Sequence, residues 1–594
     1  MPLVVQKFGG TSVADSEKIQ AAARKAVRAH QQGNQVVMVV SAMGKNTDTL
    51  IELAGEINEK PPAREMDMLL STGEQVSVAL MAMAIDALGY KAVSLTGAQI
   101  GIKTDSSHTK ARIQSISTER VKSLLNDGNI VIAAGFQGID EKLNITTLGR
   151  GGSDTTAVAL AAVLDADQCE IYTDVDGVYT TDPRVLPEAC LVRQVCYDEM
   201  LELASLGAGV MHSRSVEFGK KFNVPIHVRS SLSDVPGSLI VDDAETSSLA
   251  VSGAALTKDE ALISIFDLPD VPGTIYQIFS PIAEKKITVD MIVQNVGEKG
   301  NTNVSFTVPR NESAEALESV KNSVEKLGGK IGLVDNDVSK VSVVGLGMAK
   351  QTGVANRMFR TLANSDVNME IITTSEIKIS ALVKRDSSLN ALRTVHSEFS
   401  LDKIEVESAP AIPERKRTGS LILEEVIARL NSGMGMESLM IDEIQLDDTQ
   451  SRITVSRIPN EPGIAAQLFE RIAAAGVFVD MIVQSYASEK IADITFTMPR
   501  GEFEAALKVA NQVCEDFGCK KVDFKKSIAK LSVSGVGLRS HTGVAIGMFR
   551  ALSEANINIE AINTSEVRVN VVVDGDSGEA GIECLRKQFA DALR

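Results

Sequence analysis

A lysine and two glycines at the end of an apolar run form the first candidate site. In the stretch VVQKFGGTS, residues 4–12, Lys7 is followed by Phe8, Gly9 and Gly10. Glycine lets the backbone approach an anion closely, and a helix that follows would point its free N–H groups at the same place. Lys7 adds a mobile positive charge suited to phosphoryl oxygens. The stretch lacks the GxxxxGK[ST] order of a P-loop, so a purely structural tight turn remains an alternative to a phosphate site.

A second glycine loop, LGRGGSDTT at 148–156, precedes an apolar helix predicted at 157–164. Arg150 is suited to a carboxylate or phosphate, and Gly151 and Gly152 expose the backbone. The alternative is a helix cap, in which Ser153 or Asp154 only satisfies first-turn N–H groups. An arginine flanked by three glycines favours ligand binding.

A third segment, YTDVDGVYTTDPR at 172–184, is predicted to line a nucleotide. Thr173 and Asp174 end a strand, Tyr179 is expected beside the base, and Arg184 near phosphate. The carboxylates of Asp174 and Asp176 leave direct metal ligation open as an alternative.

Two shorter segments add polar groups after hydrophobic elements. VSAMGKNTD at 40–48 offers the hydroxyls of Ser41 and Thr47, and LLSTGEQ at 69–75 contains Glu74. Glu74 is predicted to open a helix. Its carboxylate then either complements the helix dipole or receives a substrate ammonium group.

The elements that must position these residues alternate between strands and helices over the first 240 or so residues. The predicted strands are LVVQKF, QVVMVVSA, YKAVSL, NIVIAAG and CEIYTDV, and the predicted helices include SEKIQAAARKAVRAHQQG and EQVSVALMAMAIDALG. Continuously apolar strands that alternate with helices indicate a mainly parallel sheet covered on both faces.

The remainder of the chain is a tandem duplication. DMIVQN at 290–295 returns as DMIVQS at 480–485, and TTSE at 373–376 returns as NTSE at 563–566, with 480 − 290 = 190 and 566 − 376 = 190. Each copy contains two βαββαβ units, preceded by an extra strand near 251–256 or 441–446. Pro410, Pro413 and the basic stretch 414–417 predict a solvated linker, and a short helix is expected near 421–432.

Bulk composition excludes several classes of function. The 60 basic and 78 acidic residues leave a formal net charge of −18, which argues against nucleic-acid or anionic-membrane binding. The six cysteines show no CxxC spacing and are expected to be reduced thiols. With no signal-peptide pattern and no apolar run of about 18 residues, a cytoplasmic protein is expected.

The motifs KFGGTS, STGEQ, LGRGGSD and TDVDGVYTTDPR, in this order and spacing, closely resemble those of the aspartate kinases of the amino-acid kinase superfamily. The repeated units resemble ACT domains, which are small ligand-binding modules, and their number is similar to that of the cyanobacterial form. The resemblance covers essentially the whole chain. It implies a carbamate-kinase-like three-layer αβα domain followed by four ACT domains, and transfer of the ATP γ-phosphoryl group to the β-carboxylate of L-aspartate.

The resemblance also implies residue roles. Lys7 and Asp154 would be catalytic and Mg²⁺ would be carried by ATP, with no metal site of the protein's own. The implied ATP-binding residues are Lys7, Phe8, Gly9, Gly10, Thr173, Asp174, Tyr179 and Arg184. The implied aspartate-binding residues are Ser41, Thr47, Glu74, Arg150, Gly151, Gly152 and Ser153.

Lysine and threonine are the implied allosteric effectors, bound between ACT units. The implied contacts are Asp270, Asp290, Gln294 and Asn368 in the first copy, and Asn460, Asp480, Gln484 and Asn558 in the second. The copies differ at Asp270 versus Asn460, Gln351 versus His541 and Thr373 versus Asn563, so we expect different effector preferences. Structural turn residues remain the alternative for Asp290 and Asp480.

The expected domains are a kinase at 1–245, a first ACT pair at 249–408, a linker at 409–438 and a second pair at 439–594. Within the pairs, the units are expected at about 262–335, 336–408 with strand 249–257, 452–525, and 526–594 with strand 439–447. ACT units commonly complete their sheets with a partner's strands, which predicts a homodimer. Two alternatives are a kinase for another small acid, such as glutamate, and an amino-acid sensor with a vestigial kinase half. A fused homoserine dehydrogenase is disfavoured because no GxGxxG region follows the fourth unit.

Overall fold

The computed structural model describes residues 1–207, 210–244, 249–296, 300–404, 435–488, 491–538 and 543–593. The predicted helix near 421–432, most of the predicted linker and His541 lie outside these residues. Within the described residues the chain forms an N-terminal α/β part and a C-terminal part built on a single long sheet.

An eight-stranded sheet lies at the centre of the N-terminal part, in the order β12-β14-β13-β9-β1-β2-β6-β3. The six strands from β13 to β3 in this order are parallel to one another, and β14 is antiparallel to β13. The strands of this part are β1 Leu3–Phe8, β2 Gln35–Val40, β3 Ala92–Leu95, β4 Ile102–Thr104, β5 Ile113–Ile116, β6 Ile130–Ala134, β7 Gln137–Ile139, β8 Ile145–Thr147, β9 Gln168–Thr173, β10 Val178–Tyr179, β11 Leu191–Val192, β12 Gln194–Cys196, β13 Ile226–Ser230 and β14 Ser238–Val241.

Helices cover both faces of this sheet, because its strands are apolar on both sides and cannot face water. They are α1 Ser16–Gln31, α2 Asn46–Ile57, α3 Ala63–Asp86, α4 Gly97–Ile100, α5 Glu119–Asn126, α6 Gly152–Val163, α7 Tyr197–Ser205 and α8 Ser213–Phe222. Strands β4, β5, β7 and β8 form a separate four-stranded sheet beside it. The predicted three-layer αβα fold is confirmed.

Helix α3 corrects a prediction. It begins at Ala63, eleven residues before Glu74, so Glu74 lies in the middle of the helix and does not open it. By length and composition alone the same helix could cross a membrane, although charged residues interrupt its apolar run. Leu70, Glu74, Val78 and Met81 are buried within the domain, which is typical of a core helix.

The C-terminal part contains a continuous twelve-stranded sheet. Its strands are β15 Gly253–Pro269, β16 Asp290–Val296, β17 Asn301–Pro309, β18 Lys330–Val344, β19 Ile371–Thr374, β20 Lys378–Lys384, β21 Met440–Pro459, β22 Ile482–Ser488, β23 Ile491–Pro499, β24 Lys521–Val536, β25 Ala561–Thr564 and β26 Arg568–Asp574. Its helices are α9 Thr274–Glu284, α10 Ser313–Lys326, α11 Val354–Asn364, α12 Ser388–Glu398, α13 Ile464–Ala474, α14 Phe503–Phe517, α15 Gly543–Glu554 and α16 Gly578–Gln588.

Long strands join neighbouring units. The extra strand predicted near 251–256 is the first part of β15, which continues without a break into the first unit. Strand β21 does the same in the second copy. Because β15 and β18 each run through both units of the first copy, the two units share one sheet.

The two copies meet through the outer strands of their units. Strand β19 of the second unit pairs with β22 of the third, at Ile372 with Gln484 and Thr373 with Val483. The hydrophobic core of the second and third units is correspondingly shared, and so is that of the first and fourth. The sheet completion that was expected from a partner chain is therefore made within one chain.

Candidate functional site

The candidate site lies where the central parallel strands end. Backbone bonds tie these ends together: Gly9 N donates to Tyr172 O (3.3 Å), Ser41 N to Phe8 O (3.1 Å) and Ser231 N to Thr173 O (2.8 Å). Because parallel strands end at the same edge, residues far apart in sequence are adjacent here, and this edge is where open α/β sheets bind ligands.

Lys7 and Asp154 form the centre of the site. The Lys7 Nζ atom lies 2.5 Å from Asp154 Oδ1, and the two side chains are 11% and 13% exposed. Helix α6 begins at Gly152 and has no side-chain cap bond, so the capping alternative for Asp154 is wrong. The site therefore holds an ammonium group and a carboxylate in contact, both largely removed from water.

The two glycines after β1 differ in their constraints. A Cβ on Gly10 would lie 2.8 Å from the carbonyl oxygen of Ala42, so close packing requires glycine there. A Cβ on Gly9 would meet Lys7 Nζ at 3.5 Å. The expected helix does not follow directly: a single 3₁₀ turn, Gly10–Val13, intervenes, and α1 begins at Ser16 with the Asp15 side chain as its cap.

Glu74 is buried and only half satisfied. Its Oε1 accepts a hydrogen bond from Ala42 N at 3.0 Å, while its Oε2 is buried with no hydrogen-bond partner among the described residues. Burial raises the pKa of Glu74 from 4.5 to about 7, although the bond from Ala42 lowers it. Ala42 follows Ser41 at the end of β2, which places this carboxylate beside the strand-end edge. Thr47 is partly exposed in α2.

The loop containing Arg150 is shaped by close contacts. Gly151 has φ 67°, and a Cβ there would lie 2.3 Å from the Cβ of His212. Ser153 is buried against Gly135, where a Cβ would lie 2.6 Å from its Oγ. Arg150 itself is exposed. The glycines thus fix the path of the chain and leave the guanidinium accessible.

Sequence reasoning missed His212 and Arg214. Burial, and then the charge of Arg214, lower the pKa of His212. The charge of Asp154 opposes this shift, and the charge of Arg150 adds to it. A Cβ on Gly151 would overlap His212, so His212 lies against the loop that contains Arg150. The segment MHSRS offered no motif, and only the packing of α8 against α6 brings it to the site.

The predicted nucleotide loop lies at the end of β9. Thr173 Oγ1 donates to Asp174 Oδ1 at 3.1 Å, and Tyr179 is partly buried in β10, where burial and then Asp176 raise its pKa. Arg184 is held by Asp182 through a two-pronged ion pair with bonds of 3.0 and 2.8 Å. No group of three potential ligands that could hold a metal ion occurs among the described residues.

The candidate effector residues are grouped across the two copies and not within each copy. In one group, Asn558 Nδ2 donates to Asp270 Oδ1 (2.8 Å), and Gln294 Nε2 donates to the carbonyl of Ile559 (2.7 Å). The first unit therefore meets the fourth, which corrects the assignment of Asn368 to the site with Asp270.

The second group is the counterpart of the first. Gln484 Nε2 donates to the carbonyl of Met369 (2.7 Å) and to Asn460 Oδ1 (3.3 Å). Asn368 and Asn460 both donate to the carboxylate of Glu370, at 3.5 and 3.4 Å. The third unit thus meets the second at this interface.

Asp290 and Asp480 have equivalent partners. Asp290 pairs with the buried Lys340, and Asp480 lies 2.5 Å from Lys530. Each also lines a cavity between units, with a volume of about 80 Å³ beside Asp290 and about 270 Å³ beside Asp480. These pairs give both aspartates a structural role at the edge of a cavity.

Comparison with known proteins identifies both parts of the chain. Residues 2–230 match the amino acid kinase family, and residues 267–324, 341–399 and 531–589 match the ACT domain. An aspartokinase from Pseudomonas aeruginosa is 49% identical over 405 residues, which is 68% of this chain and 98% of that protein. An aspartokinase from Corynebacterium glutamicum is 47% identical over 407 residues, 68% of this chain and 97% of that protein.

Solved structures agree with this. The crystal structure of aspartate kinase from Synechocystis is 38% identical, covers 99% of this chain and 98% of its own, and superposes with a TM-score of 0.52. Escherichia coli aspartokinase III in complex with aspartate and ADP shares the fold at 24% identity, with a TM-score of 0.57 over 67% of this chain and 99% of its own. This chain is a kinase and belongs to the aspartokinase family.

Proposed function

We propose that this chain transfers the γ-phosphoryl group of ATP to the β-carboxylate of L-aspartate, giving ADP and 4-phospho-L-aspartate. The observation that carries the proposal is the buried contact between Lys7 and Asp154 at the edge where the parallel strands end. The related E. coli enzyme, described in complex with aspartate and ADP, supports both substrates.

Positioning and charge neutralisation supply the catalysis in this proposal. The Lys7 ammonium group neutralises the charge that spreads over the transferring phosphoryl oxygens, and Gly9 and Gly10 allow the phosphate to approach the backbone. Asp154 holds the ammonium group in place through its 2.5 Å contact. Because the acceptor carboxylate attacks directly, no covalent enzyme intermediate is needed.

The aspartate molecule is held at its α-substituents. Arg150 pairs with the α-carboxylate, because it is exposed at a loop whose glycines fix its position. Glu74 receives the α-ammonium group, which would satisfy its buried Oε2. Gly151, Gly152, Ser153, Ser41 and Thr47 complete the pocket.

ATP occupies the other side of Lys7, along Thr173, Asp174, Tyr179 and Arg184. The residues at this edge suit a triphosphate that brings its own Mg²⁺, because they present glycines, a lysine and an arginine. The ion would neutralise phosphate charge, and the chain's own residues orient the nucleotide.

Lysine and threonine are the proposed feedback inhibitors, because they are end products of the pathway that this reaction begins. The same pathway also supplies methionine and isoleucine. The two cross-copy interfaces differ, since Asp270 in one corresponds to Asn460 in the other, and this difference supports distinct effector preferences. E. coli aspartokinase III is described in complex with lysine and aspartate, which supports lysine as one effector.

The proposed division of the chain follows the sequence expectation: kinase at 1–245, ACT pairs at 249–408 and 439–594, with a linker at 409–438. A homodimer and a cytoplasmic location remain part of the proposal. The six cysteines form no disulfide bond in the structure, and reduced thiols are part of the proposal. Because β19 and β22 pair within one chain, the dimer interface is expected elsewhere. Light scattering on the purified chain would test whether it is a dimer.

A coupled assay of ADP release tests the activity and both alternatives. We expect phosphorylation of aspartate and not of glutamate, and Lys7→Ala should lower kcat by about 10³-fold while circular dichroism shows an intact fold. Preference for glutamate would identify another small-acid kinase. Absence of turnover in the folded wild-type protein would favour an amino-acid sensor.

A further inference from the structure

We infer that Glu437, in the segment that precedes the second ACT pair, is a positioning residue for the aspartate-binding loop. The inference rests on the proposed function, because it takes Arg150 as the group that binds the substrate α-carboxylate. The sequence placed Glu437 in a solvated linker, whereas its side chain is only 8% exposed.

Glu437 forms a bidentate ion pair with Arg214 through both carboxylate oxygens. Its Oε2 lies 2.5 Å from Arg214 Nε, and its Oε1 lies 2.7 Å from Nη2. The Oε1 atom also accepts a hydrogen bond from Ile113 N at 2.6 Å. A two-pronged arginine–carboxylate pair is among the stronger and more directional polar contacts in proteins, so Glu437 fixes the orientation of the guanidinium group.

Arg214 in turn holds the loop. Its Nη1 donates to the carbonyl of Leu148 and its Nη2 to the carbonyl of Ala111, both at 2.6 Å. Leu148 begins the segment that contains Arg150. The contacts therefore form a chain from Glu437 through Arg214 and Leu148 to Arg150.

The segment around Glu437 is anchored to the kinase part. Met436 is 2% exposed and belongs to the kinase hydrophobic core, and its N–H donates to the carbonyl of Gln114 at 2.9 Å. Lys221 Nζ donates to the carbonyls of Met436 and Ser438 at 2.9 and 2.8 Å. Strand β21, which runs through the third and fourth units, begins two residues later at Met440. A shift of the second ACT pair would therefore act directly on Arg214.

A charged cleft lies between the Arg150 loop, helix α8 and the segment around Glu437, and its charges distinguish two possible roles for Glu437. The basic residues that line it are Lys110, Arg112, Arg150, His212, Arg214 and Lys221, and the acidic residues are Glu217 and Glu437. If Glu437 acted only through its charge, neutralising it would make the cleft more positive and strengthen binding of acidic aspartate. If Glu437 positions the loop, the same change weakens aspartate binding.

The experiment is steady-state kinetics of the full-length chain with Glu437→Gln. We expect KM for aspartate to rise about tenfold, from the loss of one charge-assisted contact, with kcat and KM for ATP changed less than about twofold. Glu437→Asp keeps the charge and should restore part of the affinity. Glu443→Gln, at an exposed position on β21, is the matched control and should behave as wild type.

An unchanged or lowered KM for aspartate in the folded variant would overturn the inference, whereas a fall in kcat alone that accompanies a loss of folded protein would not. A thermal melt of each variant identifies the second case, and Glu437→Asp then carries the test. Arg150→Ala separates the two proposals. If Arg150→Ala leaves KM for aspartate unchanged, the proposed aspartate site is wrong; if it raises KM while Glu437→Gln does not, only the role of Glu437 is wrong.

Discussion

Glu74 illustrates how burial sets chemistry at the scale of one residue. Its carboxyl group lies in the middle of a helix, has one oxygen without a hydrogen-bond partner among the residues that the structure describes, and has a pKa raised to about 7. An ammonium group binds the ionised carboxylate and not the neutral acid. Aspartate binding should therefore be linked to loss of a proton from Glu74 near neutral pH.

The first prediction follows from this linkage. KM for aspartate should fall as pH rises from about 6 to about 8, because the fraction of ionised Glu74 increases around a pKa of about 7. Glu74→Gln should bind aspartate more weakly and lose this pH dependence. A pH profile of KM measures both. A Glu74→Gln profile that keeps the wild-type slope would assign the titration to another group.

The raised pKa of Glu74 has the opposite effect on folding: the stability of the free protein falls as pH rises, whereas aspartate binding strengthens. The folded pKa of about 7 exceeds the ordinary value of 4.5, so this group's contribution to stability is full below about pH 4.5. It is lost as pH rises through about 7. Aspartate should offset this loss, since it stabilises the ionised form.

At the scale of elements, helix α7 joins the kinase part to the ACT units. Glu199 and Glu202, one turn apart, are both fully buried. Glu199 Oε1 accepts from Ser252 Oγ (2.8 Å) and Leu346 N (3.1 Å), and Glu202 meets Lys378 at 2.9 Å and Glu566 N at 2.9 Å. Burial raises the pKa of Glu202 despite the charge of Lys378. One kinase helix therefore contacts both the second and the fourth unit.

The second prediction concerns this buried pair. Lys378→Met should destabilise the protein by about 3 kcal/mol, because it leaves the Glu202 carboxyl group buried without its counter-charge. Adding Glu202→Gln should recover most of the loss, since the amide still accepts from Glu566 N. Thermal unfolding midpoints measure both variants.

Lys384→Met is the control for that measurement. Lys384 also pairs with a carboxylate, that of Asp335 at 2.5 Å, but its side chain is 48% exposed, so its loss should cost little. Equal destabilisation by the two lysine variants would contradict the role given to burial.

At the scale of the whole molecule, the two copies of the duplicated region pack against each other. The first unit meets the fourth and the second meets the third, so each candidate effector site takes residues from both copies. Neither copy contains a complete site alone. This arrangement requires the second copy for both sites, and it makes the helices and strands of the four units one connected body.

The third prediction follows from the grouping. Asp270→Ala and Asn558→Ala should each raise the inhibitory concentration of the same effector, and the double variant should be no worse than the more severe single one, because the two side chains share one contact. Inhibition curves with lysine and threonine measure this. Asp270→Ala combined with Asn460→Ala should instead impair both sites independently. Additive losses for Asp270→Ala and Asn558→Ala would contradict the cross-copy grouping.

Short-range sequence patterns were enough to predict the position of many helices and strands. The run LVVQKF predicted β1 at its observed bounds, and the spacing of SEKIQAAARKAVRAHQQG predicted α1 to within two residues. The start of α3 was misplaced because Glu74 follows a Ser-Thr-Gly step that is typical of a helix start, while eleven residues before it are also helical. Local turn chemistry there yields to packing of the whole helix against the domain.

The sequence by itself determined the candidate loops, the duplicated units and the alternation of strands and helices, because turn residues, repeats and hydrophobic periodicity act over a few residues or by direct comparison. Only the tertiary structure decided that Asp154 contacts Lys7, that His212 and Glu437 reach the site, and that Asp270 faces Asn558. These contacts join residues up to hundreds of positions apart. They depend on strand order and on how whole elements pack, which no short stretch of sequence encodes.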